Sequence, residues 1–289
     1  MRTPPAPASI RLRTLPAVAG LQWIRKGLRT FWRRPLGLIG LWLFFTLSLP
    51  MIALLAVIVS PLAMLAIAAW LPLLTVGFMQ AASDVLDDVK LRPAVFKAPF
   101  STTPQAARGT LAIMGIYVAA IALLAVIADA MDGGETRRWL QAAMTPPADG
   151  KPPVIAPMSD ASLASLRFVV LGLSVVSIPL WYAPALVYWG GQGAAQAMFS
   201  SVVAIWRTKA AFLAFLAGWF AIGLAYDALV QLLATLFGAE AMALAGLSGQ
   251  MVLSIAYFVS MWFGFVDTFE ITAPAEPRTA PFDAAPPAP

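Results

Sequence analysis

Between Arg34 and Asp84 the chain carries no charged side chain. A helix needs about 20 apolar residues to cross a bilayer, so this run is too long for one crossing. It fits two, at 36–59 and 62–82, with Ser60-Pro61 as the turn between them. Further apolar segments at 109–128, 168–188, 210–236 and 247–266 bring the expected crossings to six. Composition agrees: 60% of residues are hydrophobic and only 11% charged, with a mean hydropathy of +0.80, against roughly 25% charged in a soluble domain. The expected fold class is all-α, a polytopic membrane helix bundle whose six transmembrane helices occupy one domain, 17–271. Residues 1–16 are basic and Pro-rich, with no apolar core before a small-residue cleavage site, and read as a disordered tail retained in the mature protein. The Pro/Ala-rich stretches 142–160 and 272–289 bury too little apolar surface to offset ordering entropy, and are expected to be disordered as well.

Cysteine and histidine are both absent. No disulfide, thiolate nucleophile, imidazole base or His/Cys metal site can be built, which removes most familiar catalytic constellations. No cofactor is implied. A net charge of +5 and a pI near 9.8 fit a nucleic-acid partner in principle, but the cations sit beside apolar spans, which favours anionic lipid. Cations in short loops stay on the cytoplasmic side. With the N-terminus inside, the inner segments hold 15 of the 19 basic residues, so both termini are expected in the cytoplasm of a bacterial inner membrane.

Just before the first span, a helix starting near Ala17 places Val18, Leu21, Ile24, Leu28, Phe31 and Trp32 in one stripe and Gln22, Arg25, Lys26, Arg29 and Arg33 in another. Pro35 closes it. A helix of this kind lies in the membrane interface with its cations among anionic headgroups, each worth roughly 1 kcal/mol; packing on the protein's own cytoplasmic side is the alternative. Arg25, Lys26, Arg29, Arg33, Trp23 and Trp32 are the candidate headgroup-binding residues. Residues 194–219 repeat the arrangement, with Met198, Val202 and Ile205 in a stripe and Trp206-Arg207 before the next span. Residues 92–109 form a third version, in which Pro99 and Pro104 interrupt any helix. The ends of the even-numbered spans also match, "VGFMQAASD" (76–84) with "FGFVDTFE" (263–270), and Pro72 and Pro184 precede their exits similarly. The pattern predicts a threefold repeat of an interfacial segment followed by a helical hairpin.

Among polar residues, Asp227 lies within a span. An intramembrane carboxylate is costly, so Asp227 is a candidate ligand or proton site with Tyr226 or Gln231, or else an interfacial carboxylate near the outer edge. Asp84, Asp87 and Asp88 share a helical face beyond the second span; such oxygens suit Mg²⁺, but Lys90 and Arg92 can neutralise them, no companion carboxylate motif occurs, and a solvated helix end is the favoured reading. The run Gly190-Gly191-Gln192-Gly193 reads as a flexible connection. Ala210, Ala214, Ala217, Gly218, Ala221 and Ala225 recur at helical spacing and allow close helix approach. Residues 135–143 suggest a short outer helix.

The stretches "WIRKGLRTFWRRPLGLIGLWLFF", "LPLLTVGFMQAASDV", "FKAPF" and "WYAPALVYWGGQGAAQAMFSSVVAIWRTKAAFLAF" resemble a family of uncharacterised proteobacterial inner-membrane proteins known by locus-tag names, over about residues 16–270. The resemblance implies six helices in the inner membrane and supplies no activity or site residues. A fainter similarity reaches the membrane domain that accompanies some glycerophosphodiester phosphodiesterases. Relatives often carry a histidine after "APALVYW", where this chain has Gly190, and no segment between spans approaches the roughly 250 residues of a phosphodiesterase barrel. The expected role is a non-enzymatic membrane protein that organises or assists lipids or partner proteins. The second reading is a transporter or permease, since Pro72, Pro179 and Pro184 interrupt corresponding helices. A lipid-modifying enzyme ranks third.

Overall fold

The computed structural model describes residues 9–59, 69–144 and 157–272. The turn at Ser60-Pro61, most of 142–160 and the tail from 273 lie outside them. Strand β1 (Ser9–Leu12) leads to α1 (Val18–Arg33) and α2 (Pro35–Val59). Helix α3 (Leu71–Leu86), a 3-10 turn at Pro93–Phe96 and the short α4 (Ala98–Ser101) precede α5 (Pro104–Asp132) and α6 (Glu135–Met144). Then come α7 (Asp160–Leu180), α8 (Ala183–Tyr188), α9 (Ala194–Arg207), α10 (Lys209–Phe237), α11 (Ala239–Thr268) and β2 (Phe269–Thr272).

Four segments are long and apolar enough to cross a membrane: Pro104–Asp132, Asp160–Tyr188, Lys209–Phe237 and Ala245–Thr268. The pair α1 and α2, which meet at 96°, adds a fifth only if Val18–Met51 is counted as one broken span rather than a re-entrant loop. Helix α3 rises about 24 Å at 1.5 Å per residue, short of the roughly 30 Å hydrocarbon core. Length and hydropathy therefore yield four or five spans where six were expected, and residues 62–68 of the expected second span are not among those described.

Local chemistry explains the helix ends. Proline occupies the first turn of α2, α3, α4, α5 and α8, where its missing N–H costs nothing. Pro99 and Pro104 thus open helices rather than interrupting one. The Thr103 hydroxyl accepts from the Ala106 N–H at 3.1 Å and the Ser159 hydroxyl from the Ser162 N–H at 3.1 Å, capping α5 and α7. Gly133, at φ 61°, ends α5 in the left-handed conformation.

The α7–α8 break has a specific cause. In an unbroken helix the Tyr182 N–H would donate to the Ile178 carbonyl. Here the Ser201 hydroxyl of α9 stands between them, accepting from the Tyr182 N–H at 3.1 Å and donating to Ile178 O at 3.1 Å. Pro179, one turn earlier, already lacks a donor. The inserted side chain satisfies both backbone groups while the chain turns.

Packing is uneven. Where the starts of α5 and α10 meet the ends of α7 and α11, together with α1, α3, α8 and α9, the core holds Trp23, Phe31, Phe78, Tyr182, Phe215 and Phe265, all fully buried. Away from that end the long helices expose apolar flanks such as Val126, Leu171, Val175, Phe220 and Leu229, which suits contact with lipid. Two expectations are corrected here. Ser9–Leu12, inside the stretch read as a disordered tail, pairs antiparallel with Phe269–Thr272, Ile10 opposite Ile271. Of the small residues expected to allow close approach in α10, Gly218 does meet α1, beside Ala211 and Phe215, whereas Ala210, Ala217, Ala221 and Ala225 are exposed.

Replacing Ser201 with Ala should cost about 1–3 kcal/mol, because it leaves the buried Tyr182 N–H without its acceptor, while Ile178 O keeps the Trp181 N–H at 3.4 Å. Denaturation in detergent measures this, and an unchanged midpoint would remove the wedge from the account.

Candidate functional site

Helix α1 turns two faces to two environments. Ala19, Gly20, Trp23, Ile24, Gly27, Thr30 and Phe31 are buried, at spacings of three and four along one side. Two glycines set the depth: a Cβ on Gly20 would collide with the backbone of Ala211 and Phe215 in α10, and one on Gly27 would lie 2.5 Å from Ser260 Cβ in α11. Trp23, 1% exposed, donates from Nε1 to Asp267 Oδ2 at 2.9 Å, and Lys26 Nζ reaches the same oxygen at 3.1 Å. Lys26 also lies 5.6 Å from the Phe263 ring centroid. Trp23 and Lys26, expected at headgroups, are instead tied to the last helix.

The other expected headgroup residues face outward. Arg25, Arg29, Arg33 and Trp32 are exposed, Trp32 by 68%, beside exposed Val18 and Leu21. Leu21, Ile24 and Leu28 form a groove with Gly218 and Ile222 of α10, rimmed by Arg25, Arg29 and Trp32, with a volume near 430 Å³. A Cβ on Gly218 would stand 2.5 Å from Ile24 Cδ1, so glycine lets the two helices close the groove floor. The expected apolar stripe is therefore split between a protein-facing and an outward band. Helix α9 departs similarly. Its inward face is Ala197, Ser201, Ala204 and Ile205, Val202 is exposed, and Lys209 Nζ caps the exposed Trp206 ring at 4.8 Å.

The acidic trio does not converge. Helix α3 ends at Leu86, Asp87 caps it, and Asp88 adopts φ 56°. Asp84 accepts from Gln80 Nε2 at 2.7 Å, Asp87 from the Ser83 hydroxyl at 3.4 Å, and Asp88 from Arg34 Nη2 at 3.2 Å. No cluster of three or more acidic groups able to hold a metal ion occurs among the described residues. Asp227 and Gln231 do share a shallow groove with Gln250 of α11. Tyr226 lines the same groove, its hydroxyl donating to Gly246 O at 2.6 Å.

One polar assembly escaped the sequence reading. At the far end of α5, Asp132 accepts from the Gly134 and Thr136 N–H groups at 2.9 and 3.1 Å and from the Ser165 hydroxyl at 2.7 Å. Glu135 accepts from the hydroxyls of Ser159 and Ser162, which hold its carboxyl below the ordinary glutamate range. Asp129 pairs with Arg137 Nε at 3.1 Å. The network ties α5, α6 and α7 together. Its signal lay in serines three residues apart at the start of α7 (Ser159, Ser162, Ser165) facing acids three apart from the end of α5 to the start of α6 (Asp129, Asp132, Glu135).

No family model matches the chain, and no solved structure matches it. A protein of Burkholderia thailandensis named as a probable inner membrane protein is 27% identical over 271 residues, covering 93% of this chain and 97% of that one. The chain is an integral membrane protein. The relative supports the likeness to inner-membrane proteins noted from the sequence; none of these comparisons supports the likeness to the phosphodiesterase membrane domain.

In this membrane protein, Asp267→Ala should lower stability by about 1–3 kcal/mol by leaving the Trp23 indole N–H unbonded. Arg25→Gln and Arg29→Gln should stay within about 0.5 kcal/mol. Unfolding in detergent separates the two groups, and equal effects would overturn the two-faced reading of α1.

Proposed function

We propose that the protein is a non-enzymatic inner-membrane protein that organises or assists lipids, or partner proteins bound through them, at the cytoplasmic leaflet. The groove between α1 and α10 carries the reading. Its floor is apolar, its rim offers two guanidiniums, which bind phosphate in a bidentate fork, and Trp32 stands where aromatic rings settle at headgroup level. An anionic phospholipid matches both parts. The neighbouring Arg33 adds to the attraction.

The full topology belongs to the same proposal: six crossings, both termini cytoplasmic, built from three units of an interfacial segment and a hairpin. The strand pair supports an even count, since hydrogen-bonded strands before and after all the spans share one side of the membrane. The breaks at Arg34, at Thr102–Thr103 and at Thr208, each between a shorter and a longer helix, support the repeat. Transport has one observation in its favour, a cavity bordered by Pro72 and Pro184, but no charged side chain among the described residues lines it.

Purified protein should retain phosphatidylglycerol over phosphatidylcholine, and Arg25→Gln with Arg29→Gln should weaken that preference by about 2 kcal/mol on the estimate of about 1 kcal/mol per cation. Mass spectrometry of co-purifying lipid measures it; equal retention of both lipids would sink the proposal. Reporter fusions at Gly134 and Gly238 should give outer locations, and fusions at Lys90 and the C-terminus inner ones. An outer C-terminus would overturn the topology.

A further inference from the structure

The α7–α8 break opens a second site, deeper than the α1 groove. A cavity of about 240 Å³ lies among Pro72 and Thr75 of α3, Tyr117 of α5, Ser177 of α7, Trp181 and Pro184 at the break, and Tyr257 of α11. Tyr117 lies about 20 Å along α5 from Pro104 at 1.5 Å per residue, well inside the apolar zone. The walls are aromatic: Trp181 meets Tyr257 edge-on at 6.3 Å, and Tyr257 meets Phe258 edge-on at 5.3 Å.

The polar groups in this cavity are unequal. Thr75 and Ser177 spend their hydroxyl protons on helix carbonyls, Leu71 O at 3.4 Å and Leu173 O at 2.7 Å. Tyr117, 9% exposed, and Tyr257, partly buried, have no hydrogen-bond partner for their phenolic oxygens among the described residues, and neither oxygen is among the fully buried unpaired atoms. Two phenols unpaired among the described residues thus belong to the lining of a mainly apolar space. Buried hydroxyls are ordinarily bonded, so the arrangement suits an occupant that brings an acceptor. With no charged residue in the lining, that acceptor is uncharged. The volume exceeds the roughly 150 Å³ that holds a benzene-sized molecule but falls below the roughly 300 Å³ of whole-ligand pockets, so it takes part of a chain.

We infer that this cavity binds a long apolar chain bearing an uncharged carbonyl oxygen, with the hydroxyls of Tyr117 and Tyr257 donating to that oxygen. An acyl ester of a membrane lipid and an isoprenoid quinone both present this chemistry. The inference deepens the lipid reading but is independent of Arg25 and Arg29.

Full-length protein in phosphatidylglycerol–phosphatidylethanolamine vesicles, doped with a phospholipid carrying a diazirine beside the acyl carbonyl, tests it. After irradiation, peptides containing Tyr117 and Tyr257 should carry more label than those with the exposed residues Leu171 and Val175. Tyr117→Phe and Tyr257→Phe keep the ring and remove the donor; each should lower cavity labelling by roughly fivefold, with Leu171 and Val175 labelling unchanged as a control for folding. Unlabelled fatty methyl ester and long-chain benzoquinone serve as competitors and identify the source, whereas an alkane of equal length should compete poorly. Arg25→Gln with Arg29→Gln should leave cavity labelling intact, so failure of the groove proposal is read separately. Cavity labelling no higher than at the exposed controls, labelling unchanged in both tyrosine variants, or competition by alkane equal to that by ester would each overturn the inference.

Discussion

Asp267 holds the first helix against the last. Its carboxylate receives both the Trp23 indole and the Lys26 ammonium, and this fixes α1 in the angle between α10 and α11. The β1–β2 pair and the Arg13–Glu270 ion pair at 3.4 Å close the same seam a few residues away. Helix association in a membrane cannot draw on the hydrophobic effect, because lipid is as apolar as the side chains, and relies on close contact and hydrogen bonds. Gly20 and Gly27 supply the contact, and Asp267 supplies the bond. Once α1 is set inward by these residues, Arg25, Arg29 and Trp32 have only the outward side left.

A second constraint shapes the interior. Every backbone polar group at membrane depth needs a partner within the protein, so a helix can break only where something replaces its ladder. Ser201 does this at α7–α8. The turn it permits swings Trp181 and Pro184 to one wall of a cavity whose other walls come from α3, α5 and α11. The break and the cavity have one origin, a hydroxyl from a neighbouring helix.

The two ends of the molecule are held by different chemistry. The packed end is aromatic, with Trp23, Tyr182 and Phe265 in its centre and cations at its rim. The far end relies on carboxylates capped by hydroxyls and N–H groups, Asp132 and Glu135 above all. Between them the helices show exposed apolar flanks such as Val126, Leu171 and Phe220.

The sequence by itself determined the class: long uncharged runs, few charges and absent Cys and His define a helical membrane protein without thiol or imidazole chemistry, because these depend only on composition and length. The helix start at Pro35 was equally legible, since proline acts locally, but Pro72 was read inside a longer span and Pro104 as interrupting a helix, whereas each opens one. Which face of α1 points inward was not legible. Hydrophobic periodicity weighs Leu21 and Trp32 above Gly20 and Gly27, yet the two glycines pack inward with Trp23 and Phe31 while Leu21 and Trp32 stay exposed. The separation of Asp84, Asp87 and Asp88 depended on where α3 stopped and on Arg34 arriving from elsewhere. The Tyr117–Tyr257 cavity and the Asp132 network join residues far apart in the chain, and only tertiary structure could bring them together.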